Sequence, residues 1–339
     1  PSREMENSII WKVDPHTKLS SYIDSVEYIA LETHPDGLFN MVEKLVVQDD
    51  KIFILDFRNC KQVVFVFDTT GKFLFPVGAL GRAPGEFLET RNFTVDSNYI
   101  YVIDNFQARL LLYDLNGTYI ETKQLPGVFY DIAILGNGDY MFSWQPLKDL
   151  PVKKENKITI TDRNMNVKKE LLPANESDCC NSTKLSFFTQ NTENIIYHTL
   201  LSDTIYLLDR HDASTFSTLT IDFTNHSIPM KWRQDYSKVT ENYQYLYTTP
   251  FVTPKYILGS NDSEPYLIDR KNKKVILNSR DKDDYFLLDP DFVAGNKVFS
   301  YLLNDTYQAM IKDGMKRAPK EIEEKLEKDH YVLIKYILK

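Results

Sequence analysis

The 339-residue sequence has little of what usually announces a function. Three cysteines, Cys60, Cys179 and Cys180, are too few for a disulfide framework, and the adjacent pair is poorly spaced for a bridge to itself. They read as unpaired thiols without a chemical role. No apolar run approaches the ~20 residues a membrane helix needs. Lysine and arginine (40 against 48 acidic residues) form no cluster, and at a net charge of −8 nucleic acid is not expected as a partner. The histidines, His16, His34, His198, His211, His226 and His330, show no His-x-His or His-Glu-x-x-His spacing, so no metal site and no cofactor are predicted. Glycine is scarce, yet Gly78, Gly81 and Gly85 crowd into "VGALGRAPGEFLET" (Val77–Thr90). That run lacks Gly-x-x-x-x-Gly-Lys-Ser/Thr, Pro84 removes an N–H that a phosphate cradle would use, and no helical pattern follows. It reads as a corner in the chain.

What is abundant is aromatic: 21 tyrosines and 20 phenylalanines, a composition tilted toward strands. The strands repeat. "KIFILDFRNCKQVVFVFDTTGKFLFPV" (Lys51–Val77) aligns with "YIYVIDNFQARLLLYDLNGTYIETKQ" (Tyr99–Gln124). Asp56 matches Asp104, Lys61 matches Arg109, and Asp68 and Gly71 match Asp114 and Gly117. Each unit reads as strand, turn, strand, tight turn, strand, with glycine supplying the positive φ of the hairpin. Weaker copies begin at Ile132, Ile158, Asn194 and Tyr266.

Short strands at a period near 48 residues predict an all-β fold, a six-bladed β-propeller with four-stranded antiparallel blades. The domain reading is a short N-terminal extension (1–20) and one propeller domain (21–339). Helical insertions are expected at about 231–243 and 306–328, the latter split by Gly314 and Pro319, before a closing strand at 331–339. Because exposed sheet edges invite aggregation, that last strand is expected to complete the blade containing Lys51–Val77.

The stretch from Gly78 to Ile120 resembles an NHL-type propeller repeat: a glycine-rich corner, Pro-Gly-Glu-Phe, Val-Asp, an Ile-Tyr-Val-x-Asp strand, Arg, then Tyr-Asp-x-x-Gly. The whole chain is similar to six-bladed propeller proteins of Bacteroides-type bacteria, many of them exported lipoproteins of unestablished function. The resemblance implies an exported periplasmic or cell-surface lipoprotein, with a lipid anchor upstream of Pro1. Under it, the sequons at Asn92, Asn116, Asn175, Asn181, Asn225, Asn261 and Asn304 are silent.

Repetition across units assigns Asp56, Asp68, Gly71, Asp104, Arg109, Asp114 and Gly117 to the scaffold, since carboxylates at strand ends accept turn N–H groups. Asp104 is also expected to pair with Arg109. The acidic runs at 260–264 and 280–285 lack a calcium-loop pattern and read as solvated loops. No catalytic constellation stands out. Arg82 in the corner, and Trp144 and Trp232 near blade ends, are the candidate ligand-binding residues. The expected function is a non-enzymatic binding propeller presenting a loop-built face to a glycan, peptide or protein partner. The alternative is a propeller hydrolase or lyase with a metal-dependent site in the central channel.

Overall fold

Ile52, Phe53, Ile54 and Leu55 are consecutive and all but fully buried, so the sheet they belong to is covered on both faces. The cover is other sheets like it. The computed structural model describes residues 7–56, 62–144, 155–174, 186–233, 236–239, 242–261, 264–278 and 284–339. Cys60, Lys61, Cys179, Cys180, the sequons at Asn175 and Asn181, and most of the acidic run at 280–285 lie outside them.

Six antiparallel sheets form a β-propeller. Blade 1 is Lys44–Gln48, Lys51–Leu55, Val64–Asp68 and Phe73–Val77, and blade 2 is Thr90–Val95, Tyr99–Asp104, Arg109–Asp114 and Tyr119–Gln124. Blade 3 is Asp131–Ile134, Tyr140–Ser143, Asn156–Thr161 and Val167–Pro173, and blade 4 is Phe188–Gln190, Asn194–Tyr197, Thr204–Asp209 and Phe216–Asp222. Blade 5 is Phe251–Val252, Tyr256–Asn261, Glu264–Asp269 and Lys274–Leu277. Blade 6 takes Phe292–Ala294, Lys297–Leu302 and Val332–Leu338 from the end of the chain and its outermost strand, Ile23–Ala30, from the beginning. The first strand of each blade lies innermost; successive inner strands touch from blade 6 through blade 1 to blade 5, and those of blades 5 and 6 approach through the Phe251 and Phe292 rings, 6.5 Å apart.

The terminal strand therefore closes the ring, but not in blade 1 as the sequence suggested. Val332–Leu338 lies between Lys297–Leu302 and Ile23–Ala30, with Tyr28 opposite Ile334. Blade 1 already has four strands of its own, from Lys44 onward.

Upstream of Ile23–Ala30 the chain laces the outer edges of two more blades. Ser8–Ile10 adds a fifth, parallel strand to blade 4, with Ser8 opposite Thr220. Val13 then bridges Val275 of blade 5. Trp11 anchors the crossing, its ring 5.1 Å from Phe223 and 5.2 Å from Tyr266, and Asp14 pairs with Lys274 at 2.7 Å. That pairing, with N–H bonds from His16 and Thr17, holds the Asp14 carboxyl well below the usual carboxylate range. The Asp284 carboxylate then takes the N–H groups of Leu19 and Ser20.

Of the two expected helical insertions, the later one forms α1 (Asn304–Lys312) and α2 (Lys320–Leu326). Gly314, at φ 109°, lies between them, and Pro319 caps α2 with Glu321 and Glu323 in its first turn. Tyr307 ties the pair, its hydroxyl donating to Glu323 and accepting the Ala318 N–H. The described residues of the earlier segment instead form two 3₁₀ turns, Met230–Trp232 and Tyr236–Lys238. Pro229 starts the first, but neither turn has an apolar stripe long enough to support an α-helix.

Candidate functional site

Strands alternate direction, so the connections within a four-stranded blade emerge at two ends. The turns between strands one and two, and three and four, lie on one face, and none exceeds six residues. Several are closed by their own carboxylates. The Asp68 carboxylate accepts N–H bonds from Thr70 and Lys72, and that of Asp114 accepts them from Asn116 and Thr118. Gly71 (φ 91°) and Gly117 (φ 82°) complete the two hairpins. Burial works against ionisation at Asp68, but these bonds hold its carboxyl below the ordinary range.

The long connections that are wholly or largely described lie on the other face: 31–43, 78–89, 223–250, and 303–331 with the two helices. Long loops on a rigid frame are where binding surfaces are built. This face also carries exposed apolar side chains, Leu38, Met41, Leu80, Phe106, Val128 and Met230, with Phe106 and Met230 73% and 71% exposed.

At the centre of this face the inner strands begin, and three blades contribute to one polar cluster. The Lys44 ammonium donates to Asn92 Oδ1 at 2.7 Å and to Asp131 Oδ1 at 3.0 Å, and both acceptors are fully buried. Asp131 Oδ1 also accepts the Ile132 N–H, and Oδ2 accepts those of Phe187 and Phe188 at 2.7 and 2.9 Å. A carboxylate has about four acceptor positions, and all four are taken. Asp131 therefore has no capacity left for a metal ion. Asn92 Nδ2 donates to Tyr130 O, and Thr249 Oγ1 to Phe187 O, so the hydrogen-bonded chain runs from blade 1 to blade 5. Among the described residues no three His, Cys, Asp or Glu side chains gather as a metal site.

The channel cavity beside this cluster measures about 70 Å³, lined by Lys44, Thr94, Thr189, Thr249, Asp291 and the rings of Phe188, Phe251 and Phe292. Small-molecule sites occupy roughly 300–1,000 Å³. This channel has room for a few waters, and an ammonium has three donors of which two are committed to Asn92 and Asp131.

The sequence-derived candidates fall apart in space. Arg82 is exposed, in the corner between blades 1 and 2. That corner is held by a two-residue parallel pairing of Ala79–Leu80 with Glu86–Phe87 and by the Tyr113 hydroxyl on Gly85 O. Trp232 lies across the ring, between blades 4 and 5, half-buried against Leu200, Leu201, Ile228 and Tyr245, with the Lys231 ammonium 4.8 Å over its ring. Trp144, in blade 3, is buried and offers no exposed platform. It lies where the apolar strand Tyr140–Ser143 runs into the next connection, so its side chain is drawn into the core.

Asp56 and Asp104 act at the loop face. Asp56 accepts the Asn40 N–H at 2.6 Å, and Asp104 that of Leu88 at 3.2 Å, each fixing the connection that enters its blade. Arg109 pairs with Asp104 at 2.9 Å. Asn92 being buried, its sequon is inaccessible in the folded chain. The Lys44–Asn92–Asp131 cluster escaped the sequence reading. Lys44 and Asn92 are separated by the same 48 positions as Asp56 and Asp104, but a search for identical residues passes over a Lys–Asn pair.

No helix among the described residues is long and apolar enough to cross a membrane. The chain belongs to the family described as "Domain of unknown function (DUF4934)", which spans residues 9–332. No curated protein matches it. Among solved structures, it is similar to a "putative exported protein" from Bacteroides fragilis, at 18% identity and TM-score 0.77, over 98% of this chain and 99% of the other. A member of the DUF4221 family from Bacteroides vulgatus matches at 10% identity and TM-score 0.54, over 94% and 97%. Virginiamycin B lyase from Staphylococcus aureus stands further off, at 12% identity and TM-score 0.49 over 91% and 99%. At these identities the likeness is one of fold.

Proposed function

We propose that this DUF4934 member is a non-enzymatic interaction propeller whose long-loop face docks a protein partner in the cell envelope of an exporting bacterium. One observation carries the reading: the two most exposed large apolar side chains among the described residues, Phe106 and Met230, share the long-loop face with exposed Leu38, Met41, Leu80 and Val128. Exposed apolar groups collected on one face are what a protein interface needs at its centre. The small channel and the saturated Asp131 carboxylate favour this over metal-dependent hydrolysis or elimination in the channel. The exported description of the Bacteroides fragilis neighbour supports the setting, and an upstream lipid anchor fits it.

The test is cross-linking capture from an envelope extract. The Phe106→Glu/Met230→Glu variant is expected to lose a partner that the unaltered protein captures. Ser97→Glu/Lys271→Glu, on the short-turn face, is expected to keep it. Capture insensitive to the first pair, or lost with the second, overturns the assignment. Sequencing the precursor upstream of Pro1 for an apolar segment and a lipidatable cysteine tests the anchor.

A further inference from the structure

Sheets that radiate from a channel draw apart as they go outward, and the gap between blades 5 and 6 is incompletely filled. Ile322 of α2, with Met315 and Ala318 from the segment between the helices, packs into it, leaving a groove of about 620 Å³ along the outside of blade 6. That volume, unlike the channel's, lies within the range of a ligand site. One wall is the outermost strand from Ile23 to Tyr28, and the other is Met315–Pro319, between the two helices. Tyr285 and Phe286 line it as well.

The strand meets the groove with its edge. Asp24, Ser25 and Val26 all line it, although side chains alternate between the faces of a strand. The hydrogen bonds give the phase. Leu31 N–H donates inward, to Tyr331 O of the closing segment. Glu32 N–H donates outward, to Gly71 O. By alternation Val26 and Tyr28 turn their N–H and C=O outward, and no backbone or side-chain group among the described residues meets them. The open stretch from Asp24 to Tyr28 is about 17 Å long, the reach of five or six extended residues.

Charge narrows the occupant. The Lys316 ammonium is exposed on the far wall with no ion pair among the described residues, while its neighbour Arg317 is held by Glu323 at 2.9 Å. With Asp24 on the strand's wall and Lys316 on the other, an acidic group is favoured beside Lys316 and away from Asp24.

We propose that this groove binds an extended peptide that adds a strand to Ile23–Ala30, sets an apolar side chain against Tyr28, Tyr285 and Phe286, and places a carboxylate beside Lys316. Paired N–H and C=O groups at strand spacing complement a polypeptide backbone, and a sugar presents no such ladder. The site is separate from the loop face and does not depend on it.

The probe is a library of acetylated hexapeptides alternating Val, Ile, Leu, Phe or Tyr with Glu or Asp. Members are expected to bind and to slow amide hydrogen exchange at Val26 and Tyr28. N-methylation at the ladder positions is expected to weaken the best binder at least tenfold, since about 1 kcal/mol is lost per hydrogen bond. Lys316→Glu should weaken it about two- to fivefold and raise affinity for the Lys-bearing counterpart. Phe106→Glu/Met230→Glu should change nothing here. The proposal fails if no library member binds, if N-methylated peptides bind equally, or if Lys316→Glu leaves the charge preference unaltered. It also fails if maltohexaose or chitohexaose occupies the groove without protecting Val26 and Tyr28.

Discussion

Lys44 and Asn92 hold the same place in successive repeats, 48 positions apart, and they touch, Nζ to Oδ1 at 2.7 Å. A position that faces its own copy in the next blade cannot carry the same charge twice without repulsion. Here the series Lys44, Asn92, Asp131 runs from cation through amide to anion, and each member has a partner.

Removing the anion should cost most. Asp131→Ala would leave the Phe187 and Phe188 N–H groups without their acceptor and the largely buried Lys44 ammonium without its counter-charge, and should lower the unfolding free energy by about 3–5 kcal/mol. Lys44→Met should cost less, because Asp131 keeps three backbone donors. Urea titration of both variants checks the order, and equal losses would mean that the ammonium alone satisfies the carboxylate.

Much of this fold was legible because its turns are built from side chains. Asp68 with Gly71 and Asp114 with Gly117 recur since each hairpin needs a carboxylate for its N–H groups and a positive φ. Ile23–Ala30 was hidden for the opposite reason. As the outermost strand it exposes Asp24, Ser25 and Glu27 to solvent, so its apolar alternation is broken and the closing partner was misassigned. The site is harder still, since Lys44, Asn92 and Asp131 are joined only by ring closure. Trp144 looked like a blade-end platform because sequence position does not say whether a side chain turns into the core.

Truncation should separate the two roles of the N-terminal segment. Removing residues 1–13 takes away the fifth strand of blade 4 and should lower Tm while leaving one cooperative calorimetric transition. Removing residues 1–30, or Tyr331–Lys339, takes a strand out of blade 6 and should abolish that transition. A 1–30 deletion that melts as sharply and as late as the full chain would refute closure through Ile23–Ala30.

Two glycines with positive φ should respond unequally to alanine. Gly295 (φ 60°) faces open space, and Gly295→Ala should cost about 1 kcal/mol of backbone strain. At Gly71 (φ 91°) a Cβ would also overlap the Ala30 carbonyl oxygen of the outermost strand of blade 6. Gly71→Ala should cost roughly 2–4 kcal/mol by chemical denaturation. Similar losses would mean that the contact between blades 1 and 6 gives way freely.

Stability should fall in mild acid because of His198. Burial pushes its ring down to about 4, with the Lys157 charge adding to the effect, and Nε2–H donates to Ser202 O at 2.8 Å. Between pH 6.5 and about 4 the unfolded chain takes a proton that the folded chain refuses. Stability is therefore full above that window and decreases as pH drops through it, by roughly 3 kcal/mol at most. Folded carboxylates held below their ordinary range, such as Asp162 and Asp209, lose their contribution only below about pH 4. Denaturation curves at pH 7 and 4.5 should differ for the unaltered protein and converge for His198→Gln.

The lacing of the N-terminal segment has a mechanical consequence. Tension entering through residues ahead of Ser8 reaches the parallel pairing of Ser8–Ile10 with Phe216–Asp222 first, then the Trp11 and Asp14 anchors, and only afterwards the strand that locks the circle. Blade 4 thus works as strain relief for blade 6. A pull must slide one strand lengthwise along another, breaking its bonds together, before it can begin to peel the ring apart.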